Sequence, residues 1–219
     1  PLLFGQSFNL WVALSVLCAC WVIAGLADDL LARKRATIRW SQLLRRQPAS
    51  YWGMVLAHCG FAAVTVSVVA TTQYSVERDV RMAPGDTQVL AGYEFVFEKT
   101  ERLRGPNYLA DAASFRVEKE GRTVASLQAE KRRYFASSSL MSEAAIDASL
   151  FRDLYVAMGE PVGDDGAWAI RLHYKPMVRW LWLGATAMGL GAFCTVFDRR
   201  YRVVRERRAV VSAISASAL

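Results

Sequence analysis

Residues 51–72, YWGMVLAHCGFAAVTVSVVATT, contain no Asp, Glu, Lys or Arg. A bilayer core demands a helix of about 20 apolar residues, so this run predicts a membrane-spanning helix and constrains the segments on either side. One ionisable side chain, His58, interrupts it. An ionisable group there is costly and therefore a candidate functional residue, although a neutral imidazole is far cheaper to bury than a formal charge. His173 is the only other histidine in the chain. What His58 works with depends on what lies on each side of the membrane.

Two further runs are free of charge: residues 1–27, dense in Leu, Val, Ala and Trp from position 8 to 26, and residues 180–197, entered through Trp180 and Trp182. The net charge of +7 is unevenly placed. Residues 28–46 and 198–208 each hold six basic and two acidic residues, whereas residues 74–176 hold 14 basic and 16 acidic. A positive excess beside apolar spans marks the cytoplasmic face. The expected organisation is a membrane α-helical protein with three transmembrane helices and an inserted antiparallel β domain on the outer side, a small barrel or sandwich. Residues 1–32 form the first helix, 33–50 a basic cytoplasmic loop with an interfacial turn around Trp40, and 51–73 the second helix, carrying His58. Residues 74–176 form the β domain, 177–197 the third helix and 198–219 a basic cytoplasmic tail.

This topology puts His58 about 9 Å in from Trp52, at 1.5 Å per residue, in the cytoplasmic half of its helix. His173 falls at the outer surface, across a hydrocarbon core of about 30 Å, and reads as a surface or interfacial histidine. The basic blocks lack the interleaved aromatics and fold signature of nucleic-acid binders. Cys18, Cys20, Cys59 and Cys194 all lie in the apolar runs without CxxC or Cys/His spacing, which reads as small buried residues rather than a disulfide framework. The chain opens on Pro1 with no basic leader, and so reads as a piece of a longer polypeptide.

From Tyr74 the hydrophobic period shortens to two. YEFVFEKTERL and SFRVEKEGRTVASLQAEKRRYF alternate, with Glu120 and Gly121 as a hairpin turn, and FRDLYVAM and WAIRLHY follow as strands. MAPGDT and RGPNY supply turns, and SEAAIDASL reads as a helical turn capped by Ser142. Six to eight strands over about 100 residues suffice for a core.

The catalytic motifs GxSxG, HExxH, GxGxxG and the P-loop are absent from the sequence. Lys131, Arg132 and Arg133 beside Tyr134 form a basic cluster that reads either as an anion grip or as a solvated strand edge protected against aggregation. His58 also has two readings. Its ring can hydrogen-bond within a helix bundle, or it can act as an axial haem ligand, one nitrogen on iron and the other held by an acceptor. Gly53, Ala57 and Gly60 make a small-residue stripe beside it, leaving room for a flat macrocycle or for a close helix.

YWGMVLAHCG, VERDVRMAPGD, LRGPNY, EKRRYF, AAIDASLFRDLYVAMGEP, WAIRLHYKP and VRWLWLGATAMGLG, in this order, resemble the C-terminal part of the bacterial cytochrome c maturation haem lyases of the CcmF/NrfE type. The resemblance implies a multi-pass protein of the bacterial inner membrane with its β domain in the periplasm. Such a lyase receives haem from a haem chaperone and joins its vinyl groups to the CxxCH cysteines of apocytochrome c. It also implies haem b as cofactor, bound between two helix histidines, of which His58 matches one by its place in AHCG. The second b-haem ligand, the tryptophan-rich haem-handling segment and its histidines have no counterpart in this sequence. The implied partners are therefore the remaining part of the lyase, the haem chaperone, apocytochrome c and other maturation subunits. A different function stays open beside this one, that of a non-catalytic membrane assembly module whose β domain docks partners and whose His58 packs.

Overall fold

The computed structural model describes residues 9–34, 39–136, 140–163 and 166–198. The chain divides into a helical unit, whose described part runs to Val69 and resumes at Trp180, and a β unit, Ala70–Arg179.

The helical unit contains α1 (Leu10–Arg33), α2 (Trp40–Arg46), α3 (Ala49–Tyr74, whose last turn belongs to the β unit) and most of α4 (Val178–Val196). Asn9 caps α1, its side-chain oxygen accepting from the amides of Trp11 and Val12, as a helix start requires. The turn expected around Trp40 is a seven-residue helix that buries Leu43. Only α1 and α3, among the described residues, are long and apolar enough to cross a membrane. The expectation of a third such segment is therefore corrected. α4 forms over 19 residues, but Arg179, three glycines and two threonines dilute its apolar character. The expected tail beyond residue 198 lies outside the described residues.

α3 and α4 run antiparallel, and glycines set how close they come. A Cβ on Gly53 would lie 2.5 Å from the Gly191 carbonyl, and one on Gly60 2.5 Å from the Gly184 carbonyl. Only residues without side chains let two backbones meet in this way. The amide of Ser50, unpaired at the start of α3, donates to Asp198 Oδ2 at 2.9 Å, so the end of α4 caps the beginning of α3.

Among the described residues the β unit has nine strands, one more than the upper expectation. β1 (Val76–Met82), β9 (Trp168–Pro176), β8 (Arg152–Pro161) and β7 (Ala145–Ala148) form one antiparallel sheet in that order. β2 (Thr87–Leu90), β3 (Tyr93–Arg104), β4 (Tyr108–Lys119), β5 (Arg122–Tyr134) and β6 (Leu140–Glu143) form the other. Strict alternation aims Tyr93, Phe95 and Phe97 inward against Leu154, Val156, Met158, Ile170 and Leu172. Phe97 and Phe115 sit opposite each other and stack at 4.6 Å. The result is a sandwich whose chain passes from one sheet to the other at Ala144: β6 pairs with β5, and β7, just past Ala144, pairs with β8. This corner replaces the helical turn expected at SEAAIDASL. The hydroxyl of Ser142 donates to the Met158 carbonyl and caps no helix. Short-range capping chemistry there loses to strand pairing on both sides.

The hairpin at Glu120 and Gly121 forms as expected. Both residues have positive φ, 51° and 72°, the geometry whose twist matches the strands it joins. Gly105 is required at the next turn, since a Cβ there would lie 2.5 Å from the Tyr108 ring.

Candidate functional site

His58 lies on α3, on a different face from Gly53, Ala57 and Gly60. Those small residues are used by α4: a Cβ on Gly191 would lie 2.8 Å from the Ala57 amide. The stripe holds a close helix, and the choice left open by the sequence is settled by that contact.

The ring nitrogen Nδ1 of His58 is 2.8 Å from the Met54 carbonyl, one turn back on the same helix. A carbonyl can only accept, so Nδ1 carries the proton and donates. Nε2 is then the unprotonated nitrogen with a free lone pair, the arrangement that suits an imidazole to a metal. His58 is exposed. With Met54 of α3 and Trp21, Val22, Gly25, Leu26 and Asp29 of α1 it lines a groove of about 410 Å³. Gly25 has open space where a Cβ would stand, so no side chain fills the groove at that position. At one end Arg33 donates through Nε to Asp29 Oδ2 at 2.9 Å and lies 4.6 Å over the Tyr51 ring. The aspartate in the groove is thereby neutralised by its neighbour one turn on. Sequence reasoning found His58 but missed Trp21, Gly25 and Asp29, because helical spacing alone does not say which face of α1 meets α3.

Among the described residues no three His, Cys, Asp or Glu side chains converge as a metal cage. A haem needs no such cage, since the porphyrin provides four of the iron's bonds and the protein only the axial ones. One imidazole donating from Nδ1, a largely apolar wall and a neutralised carboxylate fit one side of that requirement.

The other sequence candidates are placed differently. His173 belongs to β9 and is half-buried, 17% exposed, with Nδ1 3.6 Å from Glu77 Oε2 and its ring edge-on to Tyr155 at 6.0 Å. Burial pushes its pKa down, against the pull of Glu77. Next to it Arg171 grips Asp79 with two hydrogen bonds, 2.7 and 2.9 Å, and holds that carboxyl below the usual range.

The basic cluster is no free strand edge, because β5 is paired on both sides. Lys131 bonds Glu160 at 2.8 Å, and Arg132 bonds Glu130 at 2.7 Å while lying 4.6 Å over the Tyr108 ring. Arg133 alone of the three has no ion-pair partner among the described residues. The four cysteines, expected to be buried, are all exposed. Cys194 nevertheless borders the α3–α4 contact, since a Cβ on Gly53 would lie 3.1 Å from its Cβ.

Comparison with known proteins adds a family, three relatives and one solved structure. Residues 73–176 match the family described as the CcmF C-terminal beta-sandwich. The chain is 48% identical over 203 residues to the cytochrome c-type biogenesis protein CcmF of Pseudomonas aeruginosa, covering 91% of this chain and 30% of that protein. It is 41% identical to CcmF of Escherichia coli, over 92% of this chain and 30% of that one. The biogenesis protein NrfE of Haemophilus influenzae is 42% identical over 69% of this chain and 24% of its own. The solved structure of a cytochrome c heme lyase CcmF superposes with a TM-score of 0.70 at 18% identity, over 90% of this chain and 32% of that one. The chain thus spans less than a third of the length of these relatives.

Proposed function

The chain belongs to the CcmF/NrfE type of cytochrome c maturation proteins, and we propose that it is the C-terminal portion of a haem lyase, with His58 as one axial ligand of a membrane b-haem. It is a multi-pass protein of the inner membrane with its β domain in the periplasm. The whole lyase attaches haem covalently to apocytochrome c there. The remaining part of the lyase, the haem chaperone, apocytochrome c and other maturation subunits are its partners.

The observation that carries this reading is the hydrogen bond from His58 Nδ1 to the Met54 carbonyl, with the imidazole in the groove beside α1. Bound there, a b-haem supplies one-electron chemistry. The chain's own residues do the rest. The Met54 carbonyl holds the ring in one tautomer. Trp21, Val22 and Leu26 give the groove an apolar wall, and Arg33 keeps Asp29 from standing as an uncompensated charge.

Gly184 and Gly191 of α4 are buried against α3, which lets the two helices pack closely. The basic segments 33–50 and 198–219 are cytoplasmic by their charge.

The test is His58→Ala, expressed together with the rest of the lyase. Membranes should keep normal levels of the chain and lose the reduced b-type absorbance. An unchanged b-type spectrum with normal cytochrome c yield would remove His58 as a ligand and leave the assembly-module reading in its place.

A further inference from the structure

The two sheets of the β domain are unequal, and the longer one outruns its cover. β3, β4 and β5 are 12, 12 and 13 residues long, whereas β9 and β8 are 9 and 10. The inner face of the longer sheet runs from the core, at Ala113 and Ala129, past a row made of Arg102, Asp111, Lys131 and Ser142, to a last row made of Arg104, Leu109, Arg133 and Leu140. Register fixes these rows: Arg104 faces Leu109 across the strands, Leu109 faces Arg133, and Arg133 faces Leu140. Successive strands are about 4.8 Å apart, so the last row is about 14 Å wide.

Two cations of this face are already compensated, Arg102 by Asp111 at 3.3 Å and Lys131 by Glu160 at 2.8 Å. Arg104 and Arg133 have no ion-pair partner among the described residues. They alternate with Leu109 and Leu140, each 49% exposed. A cavity of about 170 Å³ opens on this end, lined in part by Arg102, Leu109, Asp111, Lys131, Arg133 and Leu140.

We propose that this overhang is a docking surface for a partner protein segment bearing carboxylates beside apolar side chains, with Arg104 and Arg133 taking the carboxylates and Leu109 and Leu140 the apolar groups. Charge complementarity selects the occupant: an uncompensated pair of guanidiniums recognises planar carboxylates by bidentate hydrogen bonds. Position argues against a lipid headgroup. Chain entry and exit, at Val76 and Pro176, lie at the end of the sandwich where Tyr93 stacks on Tyr174 at 6.0 Å. The overhang is at the opposite end, where Lys131 meets Glu160. The inference uses the β domain alone and is independent of whether His58 binds haem.

The experiment uses the full chain in detergent and fluorescence anisotropy of a labelled peptide that alternates Glu and Leu. That peptide should bind, more weakly as salt rises, and a peptide alternating Lys and Leu should not. Arg104→Glu with Arg133→Glu should weaken binding by about tenfold or more, and Arg104→Gln with Arg133→Gln should do so to a smaller degree. Leu109→Ser with Leu140→Ser should also weaken it. Arg122→Glu, at the β4–β5 turn, should leave it unchanged, and near-ultraviolet circular dichroism confirms folding for each variant. Failure of the Glu-Leu peptide to bind overturns the proposal, as does equal weakening by Arg122→Glu. Binding of short-chain phosphatidylglycerol through the same arginines, without the peptide, assigns the face to lipid instead and also overturns it.

Discussion

The helical unit and the β unit solve the packing problem in opposite ways. In the β unit large side chains fill the space between sheets: Phe95, Phe97 and Phe115 are fully buried, and charged residues occupy the outer positions of the same strands. In the helical unit the closest contacts are made where side chains are missing, at Gly53, Gly60, Gly184 and Gly191, while Trp11 and Trp21 stand 66% and 78% exposed. Water explains the first pattern, because removing apolar surface from it is the main driving force for the sandwich. Lipid explains the second. A tryptophan on the outside of a membrane helix gains nothing by turning inward, so close van der Waals packing of backbones takes over.

The sharpest way to break this comparison is to add volume to the helical contact. Gly191→Leu should abolish the α3–α4 pairing, because even a Cβ there would lie 2.4 Å from the Gly53 carbonyl. Loss of resistance of the membrane-embedded chain to limited proteolysis, with the β domain still folded, is the expected readout. Removing volume from the β core comes next. Phe97→Ala should cost the domain about 3–5 kcal/mol, measured by denaturant unfolding, since it opens a cavity beside Phe115. If the helical contact proves indifferent to Leu while the sandwich collapses, the contrast drawn between the two units is wrong.

A smaller effect is expected from pH. The folded domain lowers the pKa of His173 through burial, so between the folded value and the ordinary value of about 6.5 the unfolded chain binds more protons. The contribution of His173 is therefore fully present above pH of about 6.5 and is lost as pH falls towards the folded pKa. His173→Gln should flatten this part of the stability profile, and an unchanged slope would show that another group sets it. The smallest effect is at the rim. Glu160→Gln breaks an ion pair whose acidic partner is 68% exposed, and thermal unfolding should register a loss of less than about 1 kcal/mol.

Local chemistry made much of this molecule readable. The turn at Glu120 and Gly121 announces itself by its glycine, which adopts positive φ without steric cost, and the alternation of Tyr93, Phe95 and Phe97 marks one buried face of a strand. The corner at Ala144 is hidden, since SEAAIDASL suits a helix and only pairing of β6 with β5 and of β7 with β8 makes strands on its two sides. α4 shows the same limit in reverse: it forms over the expected run, yet its glycines lower the hydropathy by which a span is recognised.

His58 divides along the same line. That an ionisable ring interrupts an apolar helix, and that one of its nitrogens must be held by an acceptor to serve as a ligand, follows from the sequence and from the chemistry of imidazole. Which acceptor holds it, Met54, is a local matter of one helical turn. Only the tertiary structure decided that the small-residue stripe goes to α4 and the imidazole to the groove beside α1. A helix presents all its faces in the sequence at once, and the assignment of each face to a neighbour depends on contacts between segments more than 100 residues apart, as between Gly53 and Gly191.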